Sequence, residues 1–171
     1  MPKLSPSREG TQSTWAADIS LILASWLTIV LFFYPKDNTP GCTIQAKGLR
    51  DHTENLAKHN AVVVGISLDD PESHLEFQES CHLGYTLLSD PEGRVHDLYD
   101  AWRTTLLGRS HFAVRRCTFV IDADGIIRAV HKTVNVFTHA KAVVKDLERL
   151  AAQKSWPRTQ RKAEPPLHPA P

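Results

Sequence analysis

The residue with the clearest capacity for chemistry is Cys42, which closes the segment Pro35-Lys-Asp-Asn-Thr39-Pro-Gly-Cys42. An apolar, β-branched and aromatic run, Thr28-Ile-Val-Leu-Phe-Phe-Tyr34, precedes it and stops at Pro35, which is the pattern of a buried strand. The residues after Cys42 fit a helix, so the cysteine is expected at or near a helix N-terminus. Unpaired backbone N–H groups and the helix dipole there favour a thiolate, and the thiolate is the nucleophile. Thr39, three residues earlier, can accept a hydrogen bond and donate one to an incoming oxygen. Gly41 is expected to allow close approach of the backbone. Position alone leaves a second reading open, that of an inert small residue at a strand end.

Other residues offer less. The chain has three cysteines, Cys42, Cys81 and Cys117, too few for a disulfide scaffold and without Cys-x-x-Cys or zinc-ligand spacing. Nine histidines are scattered with no His-x-x-x-His arrangement, and Glu79 to His82 is the one Glu-x-x-His. Surface or internally bonded histidines are expected rather than ligands. No Gly-rich phosphate loop occurs, and no site for ATP, flavin or haem is found, so no cofactor or metal is expected. Twenty basic against nineteen acidic residues give a formal charge of +1, which is no footprint for a nucleic-acid binder.

The elements that must position Cys42 alternate along 171 residues, a length that suits one domain with a real core. A helix is expected from about Cys42 to Lys58, with Leu49 and Leu56 on one face. Ala61 to Ser67 reads as a strand. Asp70-Pro71 reads as an N-cap followed by proline, opening a helix to about Cys81. A short strand at Tyr85–Leu88 follows. Asp90-Pro91 repeats the cap, leading into an amphipathic stripe of Val95, Leu98, Tyr99 and Trp102. Residues 103–115 read as a loop. Arg116–Ile121 and Ile126–Val134 read as a hairpin around Asp122-Ala-Asp-Gly125, with the two aspartates poorly placed as general acids. Thr138 is expected to cap a last helix, with Ala140, Val143, Val144, Leu147, Leu150 and Ala151 at helical spacing. This βαβ, then βα, then ββα order calls for an α/β protein with a thioredoxin-like fold, a central mixed β-sheet flanked by helices on both faces.

Three segments follow from this: an atypical N-terminal stretch over 1–27, the domain over 28–153, and a basic, proline-rich tail over 154–171 that is expected to be disordered. The uncharged run Ile19–Tyr34 could pass for a signal h-region. It contains Ser20, Ser25 and Thr28, and cleavage after it would remove the strand the fold needs. A membrane role is therefore not expected.

Phe33-Tyr-Pro-Lys-Asp-Asn-Thr-Pro-Gly-Cys-Thr43 resembles the active-site segment of peroxiredoxins, specifically the bacterioferritin comigratory protein group, also called peroxiredoxin Q. The resemblance continues through Gly48-Leu-Arg-Asp51, Val64-Gly-Ile-Ser67, Leu87-Leu-Ser-Asp90 and Thr118-Phe-Val-Ile-Asp-Ala-Asp-Gly125, and so covers roughly residues 28–150. It implies that Cys42 is the peroxidatic cysteine, attacking the O–O bond of a peroxide and becoming a sulfenic acid. Thr39 would hold the peroxide, Pro35 would shield the pocket from water, and Arg116 would stabilise the thiolate and the leaving oxygen. A fixed cation that cannot lose its charge suits that task, and Arg115 is the natural control.

The chain also departs from the group. Many members carry a resolving cysteine five residues after the peroxidatic one, where this chain has Lys47. Cys81, on the same side of its helix as Phe77, is the tentative resolving residue, in a helix through which some members resolve. That helix would have to unwind locally. The competing reading is a buried apolar cysteine, and for Cys117 a core role is preferred. If neither serves, the enzyme has one working cysteine and an external thiol reduces it. Residues 1–27 lack the segment and hairpin with which family members open, which puts the first hairpin and full stability in doubt.

The resemblance thus implies a thiol-dependent peroxidase acting on hydrogen peroxide and organic hydroperoxides. Its reductant would be thioredoxin or a similar thiol donor, and it is expected to be a monomer in the cytoplasm. The alternative is a weakly catalytic or non-catalytic peroxide sensor. A membrane-tethered dithiol oxidoreductase is weaker, because Cys42 is followed by Thr-Ile-Gln and the second cysteine is absent.

Overall fold

The apolar run after Leu27 forms the central strand β1, Thr28–Phe33. In the computed structural model, which describes residues 27–103 and 113–153, β1 lies between β2 (Ala61–Ser67) and β4 (Cys117–Ile121). Strands β3 (Thr86–Ser89) and β5 (Ile127–His131) form the edges, so the order is β3-β2-β1-β4-β5. The first three strands run parallel; β4 is antiparallel to β1, and β5 to β4. The mixed sheet expected from the element order is present.

Side chains alternate along β1 and divide the core in two. Val30, Phe32 and Tyr34 pack with Leu49 of α1 (Pro40–Arg50), Leu56 of α2 (Thr53–Ala57), Phe77 of α3 (Pro71–Cys81) and Val143 of α5 (His139–Ala152). Ile29, Leu31 and Phe33 face the other way, against Val95 of α4 (Arg94–Leu98) and Ala101. Helices therefore cover both faces, though unequally. Burying each large apolar side chain contributes about 1.5–3 kcal/mol. The packing over β1 is close enough to require glycine at position 65. A Cβ there would stand 2.6 Å from Leu87 Cδ2 and 2.8 Å from Phe32 Cζ.

Several elements differ from the sequence expectation. The helix expected over Cys42–Lys58 is two helices, broken at Asp51-His52. His52 Nδ1 donates to the Gly48 carbonyl at 2.8 Å and Thr53 Oγ1 to the Arg50 carbonyl at 2.7 Å, so side chains occupy acceptors that the next helical N–H groups would use. After Asp90-Pro91 the chain turns before α4 begins, and Gly93 takes φ 69°. Asp90 still caps, since its Oδ2 accepts from Val95 N at 2.9 Å and His96 N at 3.0 Å. The expected stripe dissolves: Leu98 is 78% exposed, and Trp102 lies beyond the helix, bridged to Val114. Of the loop expected over 103–115, residues 104–112 lie outside the described residues. Its ends are paired, with Arg103 N donating to Ala113 O and Arg115 N to Ala101 O. The segments expected at 1–27 and 154–171 lie outside the described residues as well, except Leu27. No helix among the described residues is long and apolar enough to cross a membrane.

Register brings several chain segments to one end of the sheet. Phe33 pairs with Ile66 in β2 and with Cys117 in β4, and Thr118 pairs with His131 in β5. The loops leaving β1 and β2, Arg116 entering β4, and the chain leaving β5 toward α5 thus meet at the carboxyl ends of the parallel strands. Ligand sites of open α/β sheets form at this position.

Candidate active site

Pro40 opens α1 with the fixed φ that suits a first helical residue, which makes Cys42 the third residue of the helix. The loop before it turns through Asn38, at φ 55°, a left-handed conformation that asparagine tolerates. Thr39 occupies the N-cap position with extended backbone but makes no side-chain cap bond. Its Oγ1 donates instead to the Lys36 carbonyl at 2.9 Å, which leaves its lone pairs available as acceptors. Pro35 opens the same loop and is half-buried. A Cβ added at Gly41 would meet Arg116 Nη2 at 3.5 Å, an ordinary contact. No neighbouring protein atom therefore requires a glycine there.

Arg116 reaches Cys42 across the sheet end. Its Nη2 donates to Cys42 Sγ at 3.3 Å, and its Nη1 donates to Oε1 of Gln45, one turn along α1. Gln45 Nε2 in turn lies 3.3 Å from Nδ1 of His139, the first residue of α5. Burial and the charges of His131 and Arg116 lower the His139 pKa to about 4, so its imidazole is neutral at pH 7. Arg115 points elsewhere, with Nη1 3.7 Å from Asp100 Oδ2. The sulfur, itself buried, thus has a guanidinium and the first turn of a helix beside it. Both stand where they would stabilise negative charge developing on a leaving oxygen.

A second network holds the loop. Asp37, 4% exposed, accepts from Tyr34 Oη at 2.7 Å, from Ser73 Oγ at 2.8 Å and from His74 Nδ1 at 2.7 Å. Its backbone N–H donates to Asp69 Oδ2 at 2.9 Å, which also accepts from Ser67 Oγ at 2.7 Å. The loop carrying Thr39 is therefore pinned to the end of β2 and to the first turn of α3, which Asp70 caps through Ser73 N at 2.9 Å. Burial works against a charged His74. The hydrogen bond and charge of Asp37, helped by the Leu88 carbonyl and Asp69, outweigh it, so the His74 pKa stands above its ordinary value. Burial first, then the neighbouring Asp37 carboxylate, likewise holds the Tyr34 phenol protonated.

Sequence reasoning missed both Gln45 and the Asp37–His74 pair, and signals for them were available. Gln45 follows Cys42 by one helical turn. His74, Phe77 and Cys81 stand at i, i+3 and i+7, a stripe that would bury the histidine and oblige it to find a partner.

All three cysteines are free thiols. Cys81 ends α3, buried in the same apolar cluster as Cys42. Its carbonyl accepts from Arg50 Nη1 at 2.7 Å, and the helix stops at His82 with φ 52°. Cys117 is buried in the opposite cluster, under the other face of the sheet. Burial pushes its thiol up to about 12, which suits the core role expected for it. Asp122 is fully buried, holding the hairpin turn through Asp124 N and Ile126 N and pairing with Arg128 Nε at 2.6 Å.

Known proteins resemble this chain in sequence and in fold. The AhpC/TSA family matches residues 15–130. Peroxiredoxin Bcp of Escherichia coli strain K12 is 36% identical over 152 residues, covering 88% of this chain and 94% of the relative. Peroxiredoxin Bcp of Bacillus subtilis strain 168 is 36% identical over 124 residues, or 72% and 79%. A structure of the Xanthomonas campestris bacterioferritin comigratory protein, described in connection with alkyl peroxide reduction activity, superimposes with a TM-score of 0.69 at 27% identity. It covers 75% of this chain and 82% of that one. On its thioredoxin-like sheet and by these likenesses, the chain belongs to the AhpC/TSA family, within its Bcp or peroxiredoxin Q group of peroxiredoxins.

Proposed function

We propose that this chain is a thiol peroxidase that reduces hydrogen peroxide and organic hydroperoxides through Cys42. The observation that carries the reading is the 3.3 Å contact between Arg116 Nη2 and Cys42 Sγ in the first turn of α1. The Cys42 thiolate attacks the distal oxygen of ROOH. The S–O bond forms as the O–O bond breaks, and the alkoxide leaves as ROH after taking one proton. Sulfur is oxidised to the sulfenic acid and the peroxide is reduced. Arg116 stabilises charge on the sulfur and then on the leaving oxygen. The Thr39 hydroxyl, already donating to Lys36, accepts from the peroxide O–H, and Pro35 shields the pocket from water. The alkyl peroxide reduction named for the Xanthomonas relative supports organic hydroperoxides as substrates.

Resolution is assigned to Cys81. Its thiol attacks the sulfenic sulfur, releasing water and forming a disulfide, after the end of α3 unwinds to bring the two Cα atoms within about 7 Å. Thioredoxin or a similar dithiol protein then reduces the disulfide and is itself oxidised. A reducing compartment such as the cytoplasm would regenerate the thiols, and the chain is read as a monomer.

The test is to add one equivalent of hydrogen peroxide to the reduced protein and map its cysteines by mass spectrometry without reductant. A Cys42–Cys81 disulfide is expected. Trappable sulfenic acid at Cys42 alone would replace the two-cysteine cycle with reduction by an external thiol, or with a sensor if steady-state peroxide consumption is absent. An untouched Cys42 would refute the peroxidase reading.

A further inference from the structure

His139 stands behind the site rather than in it, joined to Cys42 through Gln45 and Arg116. The direction of each hydrogen bond in this chain is fixed by one member that cannot reverse. A guanidinium has donors and no acceptor, so the Gln45 atom facing Arg116 is the carbonyl Oε1. The amide –NH2 must then face His139, and the His139 Nδ1 must offer a lone pair. The neutral ring therefore carries its proton on Nε2, which has no hydrogen-bond partner among the described residues.

The groups around the ring favour this form. His139 is 3% exposed. It faces Gln45 on α1, Arg116 before β4 and, ring to ring at 5.8 Å, His131 on β5. Asp146 on α5 is occupied by His131 Nε2 at 2.9 Å and Arg149 Nη2 at 2.9 Å. Burial is the largest influence disfavouring an imidazolium at His139, and His131 and Arg116 reinforce it. A protonated Nδ1 would set N–H against the amide –NH2. Rotating the amide would relieve that clash but turn –NH2 onto the guanidinium, and Arg116 would lose the acceptor that aims it. A neutral relay has a second consequence. Among the described residues no carboxylate closes it, so orientation is transmitted while the guanidinium charge stays available to the sulfur.

We propose that His139 is a positioning residue for the peroxide reaction, its neutral Nδ1 fixing the Gln45 amide and, through it, the Arg116 guanidinium against Cys42. The proposal rests on the reading of Cys42 and Arg116 as the reacting pair. It is tested on the full chain by two measurements. In the first, 15N NMR of labelled histidines is expected to show His139 with a bare Nδ1 and a protonated Nε2 near neutral pH. In the second, the second-order rate constant with hydrogen peroxide is compared between variants. His139→Leu, which keeps the bulk but offers no acceptor, is expected to slow the reaction about tenfold, the value of one well-aligned hydrogen bond. His139→Asn, whose amide oxygen can accept, should return it to within about twofold of wild type.

A protonated Nδ1, an unchanged His139→Leu rate, or equal impairment of the two variants would each overturn the proposal. A wild-type protein that does not react with peroxide would overturn both this proposal and the peroxidase reading. A reactive protein with Nδ1 protonated would remove this proposal alone.

Discussion

Replacing Asp37 by asparagine removes the carboxylate on which the donors that pin the active-site loop converge. The Asp37 carboxylate is 4% exposed and takes three donors, from Tyr34, Ser73 and His74. Asparagine keeps the shape and one carbonyl oxygen but brings its own –NH2 against those donors. Breaking a buried ion pair by removing one partner costs about 3–5 kcal/mol, and replacing neutral hydrogen bonds of this kind costs about 1 kcal/mol each. The two contributions separate by pH. In the wild type the His74 pKa is raised in the folded state. The stability it contributes is fully present below its unfolded value, near about 6.5, and is lost as pH rises through the folded value. In Asp37→Asn burial is the largest remaining influence on His74 and it opposes charge, with the Leu88 carbonyl and Asp69 acting more weakly the other way, so the variant gains less from protonation. The loss of stability is therefore expected to be about 3 kcal/mol or more at about pH 5.5, narrowing toward about 1–2 kcal/mol at about pH 8.5. Urea denaturation of both proteins at the two pH values measures it. A difference that is constant, or that grows with pH, would show that the pair does not carry charge and would refute the argument.

Two further outcomes are expected. Arg116→Lys keeps the charge but loses the planar fork that reaches Cys42 and Gln45 together; stopped-flow oxidation by hydrogen peroxide should slow about a hundredfold, while Arg115→Lys should stay within about twofold. Cys117→Ala removes a buried sulfur held as thiol at a pKa of about 12; chemical denaturation should show a loss of about 1–2 kcal/mol, while the peroxide rate is unchanged and alkylation at neutral pH still falls on Cys42.

The elements that run on a strong period were legible in the sequence. The continuous apolar runs of β1 and β2 and the Asp70-Pro71 start of α3 are written in local chemistry, and the structure has them within a residue or so. The break between α1 and α2 was not legible, because Leu49 and Leu56 keep helical spacing across it and the interruption comes from His52 and Thr53 side chains capturing carbonyls. Trp102 shows the opposite error: it fits the stripe of α4 in sequence, yet pairs with Val114 beyond the helix. In the site, Cys42 stood out by its place between a buried strand and a helix start, while its peroxidatic role and Arg116 came from the family resemblance, and the structure brings the two residues together. Gln45, Asp37 and His74 were not found, since a buried polar residue is recognised by its partner, and their partners lie 71 and 37 residues away. Such pairings are set by strand order and register rather than by any local period.

The contact between Arg116 and Cys42 spans 74 residues of chain, and it depends on β4 entering beside β1 with Cys117 opposite Phe33. Strand pairing over that separation is among the slower events of folding, and it cannot begin on the ribosome until both strands have emerged. During synthesis Cys42 exists for a time without its guanidinium, in an unfinished chain. A slip of one residue in the β1–β4 register would turn Arg116 to the other face of the sheet and leave the sulfur in the same state. On the mechanism proposed for Cys42 and Arg116, reactivity toward peroxide would be coupled to correct completion of the sheet.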